Sequence, residues 1–322
     1  SDRIYLSGSE GLSSIRWDGT DEKFHVEITG KKAPGARNAP NANWIKMAPK
    51  GDQALAQIGT NLYVVTVPEI SKEAPKISVS DASKAAFPAR KLTDIGGQFP
   101  AWNFDANKVF WGIGNALVTY DLAGAKVFED SIKQADELAK NDTTAQKSKS
   151  KEGDAKKYEP VEHRLDIQAT RDIPQGTIVL RNARIITMKG DEVIDKGDIL
   201  IENNRIKAIG ASITVPRGAE EIDLTGKTII PGLVDTHSHF RHPVNLHRGQ
   251  FWPYLTNLAY GVITTRDPQT ATTDVLTYAD LVESGKLIGP RIYSTGPGIF
   301  SSEVISSQEH AREVMKRYSA YY

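Results

Sequence analysis

Near residue 228 the chain changes periodicity, and that change limits the folds open to it more than any other feature. Ahead of it, short apolar runs alternate with turn residues, the pattern of strands. Beyond it, Thr228-Ile229-Ile230-Pro231-Gly232-Leu233-Val234-Asp235 reads as a buried strand running into a loop, residues 250–260 as a helix and Val262-Ile263-Thr264-Thr265 as a strand. A helix over 273–284, the strand Arg291-Ile292-Tyr293-Ser294 and a last helix from about Ser307 follow. Strand–helix alternation is the grammar of a parallel α/β sheet or barrel. The chain is therefore multidomain, all-β in front and β/α behind.

Four segments are expected. Residues 1–124 are all-β and carry a weak internal repeat. One copy runs from Met47 through Gly59-Thr60-Asn61 to Val67, and the other from Trp102 through Gly114-Asn115-Ala116 to Leu122. A first copy near Ser9 to Asp18 brings the number to about three. Units of this size suit propeller blades, small sheets that stack on their neighbours. Three blades cannot close a ring, which typically takes about four to eight. Either further blades precede Ser1 or the segment is an ordinary β-sandwich. Residues 125–160 read as a flexible linker, polar through Lys147-Ser148-Lys149-Ser150-Lys151-Glu152-Gly153-Asp154, with room for a helix over 131–140. Residues 161–228 read as a small β-sandwich with hairpin turns at Lys189-Gly190-Asp191-Glu192 and Glu202-Asn203-Asn204-Arg205. Residues 229–322 open the strand–helix series and stop in the middle of it, as though cut from something longer.

Composition excludes several functions. Lysine plus arginine and aspartate plus glutamate are 40 each, so no net field draws the chain to nucleic acid or an anionic membrane. A small or neutral substrate is the better default. No apolar run approaches the roughly 20 residues needed to span a bilayer. With no cysteine, disulfides and thiolate metal sites are ruled out, and any metal must be held by nitrogen and oxygen.

The strongest chemical signal is Pro231-Gly232-Leu233-Val234-Asp235-Thr236-His237-Ser238-His239. Two histidines separated by one residue, just past a strand, project to one side and can reach one metal ion. Neutral imidazole suits zinc and other divalent metals, and the carboxyl ends of strands are where α/β barrels place functional residues. A bare His-x-His is a weak motif, so the context decides.

That context, entered from Gly226-Lys227-Thr228-Ile229-Ile230, resembles the first barrel strand of the amidohydrolase superfamily. Ala183-Arg184-Ile185-Ile186-Thr187, Gly197-Asp198-Ile199-Leu200-Ile201 and Arg205-Ile206-Lys207-Ala208-Ile209-Gly210 resemble the sandwich that precedes that strand in the family. Gly261 to Asp267 and Gly289 to Gly296 resemble its second and third strands. The resemblance runs from about Gly176 to Tyr322 and is nearest the imidazolonepropionase and prolidase branch; the front segment resembles the TolB-type propeller fused to such hydrolases in some bacterial proteins.

The resemblance implies the first three β/α units of a (β/α)8 TIM barrel holding one or two divalent metal ions, usually zinc, that activate water against amide or other carbon–nitrogen bonds. His237 and His239 would be ligands and Asp235 a residue that orients their loop. The further ligands (a lysine or glutamate, two histidines, an aspartate that doubles as base) come from later strands, beyond Tyr322, so a missing segment or a second polypeptide would complete the barrel. The implied substrate is a small molecule or dipeptide, a homo-oligomer is compatible with the family, and the propeller points to the periplasm or the exterior.

Other residues are weaker candidates. His242 and His247 could line the substrate mouth; Asp267 ends a barrel strand, where a site role competes with pairing to Arg266 or capping the next turn. Thr295 and Gly296 could shape the pocket. His25, His163 and His310 have no partner in sequence, and Trp17, Trp44, Trp102 and Trp111 fit a core better than a ligand cage. The competing function is a non-catalytic, propeller-based binding or scaffold protein with a degenerate barrel.

Overall fold

The computed structural model describes residues 2–8, 10–68, 73–141, 157–243, 247–299, 303, 305 and 307–321. The polar run from Lys147 to Asp154, expected to be flexible, lies outside the described residues. The chain divides into two compact units, Ser1–Asp166 with Ile299–Tyr322, and Ile167–Gly298.

The first unit opens with β1 (Arg3–Gly8), β2 (Gly11–Arg16) and β3 (Lys23–Thr29), an antiparallel meander. A second meander follows: β4 (Trp44–Met47), β5 (Gln53–Ile58) and β6 (Asn61–Thr66). The chain then crosses over. β7 (Lys76–Ser78) lies parallel to β3, and β8 (Ala89–Lys91) returns to the edge of β6. A third meander is made by β9 (Gln98–Trp102), β10 (Lys108–Ile113) and β11 (Ala116–Asp121). With β12 (Val161–Arg164) on β11, each of the three sheets has four strands.

The repeat seen in sequence is the β5–β6 and β10–β11 hairpins, which stand at one constant offset. Both turn at a glycine with positive φ, Gly59 (58°) and Gly114 (53°), which brings Ile58 opposite Asn61 and Ile113 opposite Ala116. That backbone suits glycine and matches the twist of the flanking strands. The middle sheet is buried on both faces. Ala54, Ala56 and Val65 join Leu12, Val26 and Ile28 in one core, whereas Leu55, Leu62 and Val64 join Val109, Trp111 and Val118 in another. Strand residues alternate in direction, so the sheets stack face to face, first on second and second on third.

Two expectations for this unit change. A linker is expected over 125–160 with room for a helix over 131–140; that helix is present but longer, α1 (Leu122–Asn141), and begins as soon as β11 ends, while residues 142–156 lie outside the described residues. The Asp121 carboxylate accepts the Gly124 N–H at 2.9 Å, capping the first turn, and Ala125 is fully buried against the third sheet's core. Val161–Arg164 was expected in the following sandwich; it pairs instead with the open edge of β11, Thr119 opposite Val161 and Ala116 opposite Arg164. Trp102 and Trp111 are buried and Trp44 packs against them, but Trp17, past the end of β2, is 72% exposed and is not a core residue.

In the second unit, β13 (Thr177–Ile186), β14 (Val193–Glu202) and β15 (Arg205–Gly210) are antiparallel neighbours. β16 (Glu220–Asp223) and β17 (Thr228–Ile229) both lie parallel to β13. The segment is thus a single five-stranded sheet rather than a two-layered sandwich. The later strands add to the free edge of β13 instead of starting a second layer. Ala183, Ile185 and Ile199 form its small core, and Asn203 takes positive φ in the turn expected there.

β18 (Leu233–Asp235), β19 (Val262–Asp267) and β20 (Arg291–Ser294) form a parallel sheet in chain order. α2 (Trp252–Ala259) joins the first two strands, and α3 (Asp274–Glu283) the second two. Phe251, Tyr254, Val275, Tyr278, Leu287 and Ile292 form the core between helices and strands. On the strands themselves Leu233, Val234, Ile263 and Tyr293 stay about half exposed.

α4 (Gln308–Tyr321), expected to be the third helix of this series, belongs to the first unit. Arg317, only 4% exposed, explains why. Its guanidinium donates to Thr60 Oγ1 (2.7 Å) and the Ile95 carbonyl (3.1 Å) and pairs with Glu303 at 2.9 Å. A buried cation needs such partners, and the turn at Gly59-Thr60 supplies one of them.

Candidate functional site

The loop after β18 is set by hydrogen bonds to its own backbone. The Asp235 carboxylate accepts the His237 N–H at 3.0 Å, and that bond holds the carboxyl below its ordinary range. The Ser238 N–H donates to the Arg266 carbonyl at 2.9 Å, which prolongs the alignment with β19 past the last strand residue. With Ser238 facing inward and buried, His237 and His239 project together.

Their rings meet edge to face, centroids 4.8 Å apart, and their Nε2 atoms converge to 3.1 Å. Two imidazole nitrogens bound to one tetrahedral zinc at about 2.0–2.1 Å would stand roughly 3.3 Å apart. The observed 3.1 Å, a hydrogen-bond distance between two imidazole nitrogens, is close to that spacing.

Behind His239 lies Asp267, 1% exposed at the end of β19. Its Oδ1 is 3.3 Å from His239 Nδ1 and accepts the Gln269 N–H at 3.2 Å, while its Oδ2 accepts the Phe240 N–H at 3.1 Å. With Nδ1–H directed at this carboxylate, Nε2 carries the lone pair that a metal needs. Asp267 also caps the following turn; it does not pair with Arg266. Thr295, Gly296 and Thr270 brace this turn: the Thr295 N–H donates to the Asp267 carbonyl (3.2 Å) and the Thr270 N–H to the Gly296 carbonyl (3.0 Å). Gly296 takes φ 70°, a conformation glycine adopts without strain.

The other candidates lie elsewhere. His242 is partly buried against α2 and α3, hydrogen-bonded through Nε2 to the Tyr254 hydroxyl and stacked on Tyr278 at 4.7 Å. Burial drives its pKa down to about 4 and pushes the Tyr254 phenol up. His247 Nε2 sits 2.7 Å from Oδ1 of Asp274, which is 5% exposed at the start of α3. The sequence reading missed Asp274, Tyr254 and Tyr278. The aromatic positions in 250–260 and 273–284 are the available signal, and nothing local distinguishes such residues from an ordinary helix core. His25 bonds Ser14 Oγ at 2.6 Å, His163 is exposed on β12 and His310 lies 3.7 Å from Glu303; none belongs to the second unit. Among the described residues, no cluster of three or more His, Asp or Glu side chains is placed to hold a metal ion.

No protein-family model matches the chain. A 74-residue stretch is 42% identical to the dihydroorotase of Lactococcus lactis subsp. lactis (strain IL1403), covering 22% of this chain and 16% of that protein. A 68-residue stretch is 38% identical to the dihydropyrimidinase of Dictyostelium discoideum, covering 21% and 13%. The chain spans less than a fifth of the length of these relatives. Among solved structures it is similar to a Xaa-Pro dipeptidase with bound methionine in the active site, at 28% identity over 38% of this chain and 34% of that one, with a TM-score of 0.32. It is also similar to the D-hydantoinase (dihydropyrimidinase) from Thermus sp., at 29% identity over 33% and 24%, with a TM-score of 0.26. The two sequence matches, each confined to 68–74 residues, support a relationship to the amidohydrolase superfamily.

Proposed function

We propose that this chain is part of a metal-dependent hydrolase that activates water to cleave amide or other carbon–nitrogen bonds in a small or dipeptide-like substrate. The convergence of His237 and His239 to 3.1 Å, with buried Asp267 behind His239, carries the reading. These two imidazoles would hold one divalent ion, zinc by the resemblance to the amidohydrolase superfamily. Bound there, the ion would lower the pKa of a coordinated water and polarise the scissile carbonyl. Asp267 fixes the tautomer and direction of His239, and Asp235 fixes the loop that carries both ligands.

Three strands leave the site short of ligands and of a base. Further β/α units, in the same polypeptide or a second one, would supply them and cover Leu233, Val234, Ile263 and Tyr293. The three stacked sheets of the first unit would then be blades of a TolB-like propeller, with the periplasm or exterior as the matching location. A second reading draws on the want of a third ligand among the described residues: a binding protein built on the stacked sheets, with a barrel that does no chemistry.

Elemental analysis of protein purified without chelator tests the enzyme reading. One to two zinc ions per chain, lost when His237 and His239 are both changed to alanine, support the enzyme and lead to assays of amide and dipeptide hydrolysis. Protein that takes up no zinc at either preparation or titration means that the two histidines stand alone in this chain, which overturns zinc binding here and leaves a fragment of the site or the binding reading.

A further inference from the structure

One cavity in the first unit has no part in that chemistry. It encloses about 720 Å³ between the second and third sheets, under α1. Small-molecule sites commonly measure about 300–1,000 Å³ and are walled mainly by apolar and aromatic side chains. Here the floor is aliphatic and aromatic, with Val118 and Trp111 buried, and α1 contributes Phe128 and Ile132 to the roof. Tyr158 closes one side. Its ring meets Tyr120 edge-on at 5.1 Å and Phe128 edge-on at 6.0 Å. A flat ring placed among them would find both a face and an edge to pack on, the arrangements that aromatic pairs prefer.

The rim says what charge the occupant carries. Four cations line the cavity, Arg90, Lys91, Lys133 and Lys157, against four carboxylates, Asp94, Glu129, Glu159 and Glu162. Arg90 pairs with Glu129 at 2.7 Å and Lys157 with Asp94 at 3.4 Å, and Glu162 accepts from the Tyr321 hydroxyl at 2.6 Å. Equal numbers of each sign, half of them joined in ion pairs, set up no net field to select an anion or a cation. From the aromatic walls and this neutral rim, we infer that the cavity beneath α1 is a binding site for an uncharged aromatic small molecule, separate from the histidine pair.

The probe is N-phenyl-1-naphthylamine, a neutral aromatic amine whose fluorescence rises in apolar surroundings, titrated into the intact chain. Saturable binding near one probe per chain is expected, with energy transfer from tryptophan reduced in Trp111→Phe. Ile132→Trp fills the cavity from the roof and should weaken binding at least tenfold, with an unchanged thermal transition showing that the fold is intact. If Ile132→Trp destabilises the chain, Tyr158→Ala, which opens a side wall in a less buried segment, should weaken binding several-fold instead. The anionic anilinonaphthalene sulfonate should bind more weakly than the neutral amine. Non-saturable binding, binding indifferent to the filling and wall variants, or a preference for the anion would overturn the proposal.

Discussion

The behaviour of single residues turns on what each carboxylate or imidazole faces. Asp267 accepts two backbone N–H bonds and His239 Nδ1 from a nearly water-free position. Asp267→Asn keeps the shape but offers an amide where His239 needs an acceptor. Zinc affinity in chelator competition should fall about 10–100-fold, the usual scale for a partner that orients a ligand. An unchanged affinity would show that His239 is oriented by something else. His242 yields a pH prediction with a definite sign. Its pKa is about 4 in the folded chain against 6.5 for a free histidine. The unfolded chain therefore binds the extra proton first, so this contribution to stability is complete above about pH 6.5 and is lost as pH falls toward 4. At about 1.4 kcal/mol per pKa unit, and with the ring only partly screened from water, the loss is on the order of 1–3 kcal/mol. Urea unfolding at pH 7 and pH 4 should show the chain losing more stability than His242→Phe by roughly that amount; equal losses would remove His242 from the acid sensitivity.

At the level of elements, the turns and pairings carry the fold. Gly11 sits at φ 120°, and a Cβ there would lie 2.3 Å from the Val26 carbonyl oxygen, where β2 meets β3. Backbone cannot move aside as a side-chain tip can, and the conformation itself strains any L-residue. Gly11→Ala should cost about 2 kcal/mol or more in urea unfolding, whereas Gly19→Ala, strained by φ but facing open space, should cost less. Much at this level was legible in sequence: the hairpin repeat, the turn at Asn203 and the α2-β19-α3-β20 series follow from period and turn chemistry, but residues 228–235, read as one buried strand, are β17 on the edge of β13 and a separate, half-exposed β18 beside β19. What was not legible depended on distant partners. No local pattern says that Val161–Arg164 joins β11 rather than the next sheet, or that α4 serves the first unit, because a strand edge and the ligands of Arg317 lie far away in sequence. The candidate site divides the same way. That His237 and His239 project to one side follows from their spacing past a strand, while the pairing of His247 with Asp274 needed α3 to be folded against the loop.

Across the whole molecule, each unit has its own cores, and the histidine pair lies in only one of them. A ligand that binds only the native form stabilises what it touches by mass action. Saturating zinc should therefore raise the unfolding temperature of residues 167–298 by several degrees and leave the transition of the stacked sheets in place. Hydrogen exchange read by mass spectrometry on heating distinguishes them: slower exchange in β18 and β19, unchanged exchange in β5 and β10. A rise in both transitions would mean that zinc binds outside the histidine pair.

The excursion of the chain through β7 sets how the stacked sheets come apart. Stacked repeats ordinarily fail one at a time, because each touches only its neighbours. Here the first sheet is completed by a strand that leaves the second and goes back to it, so neither can shed its edge without drawing on the other. Closing β3 must also wait until the intervening chain has been gathered in, a loop-closure delay that slows assembly. Pulled from the amino terminus, the first two sheets should resist as one stitched body and yield in a single step.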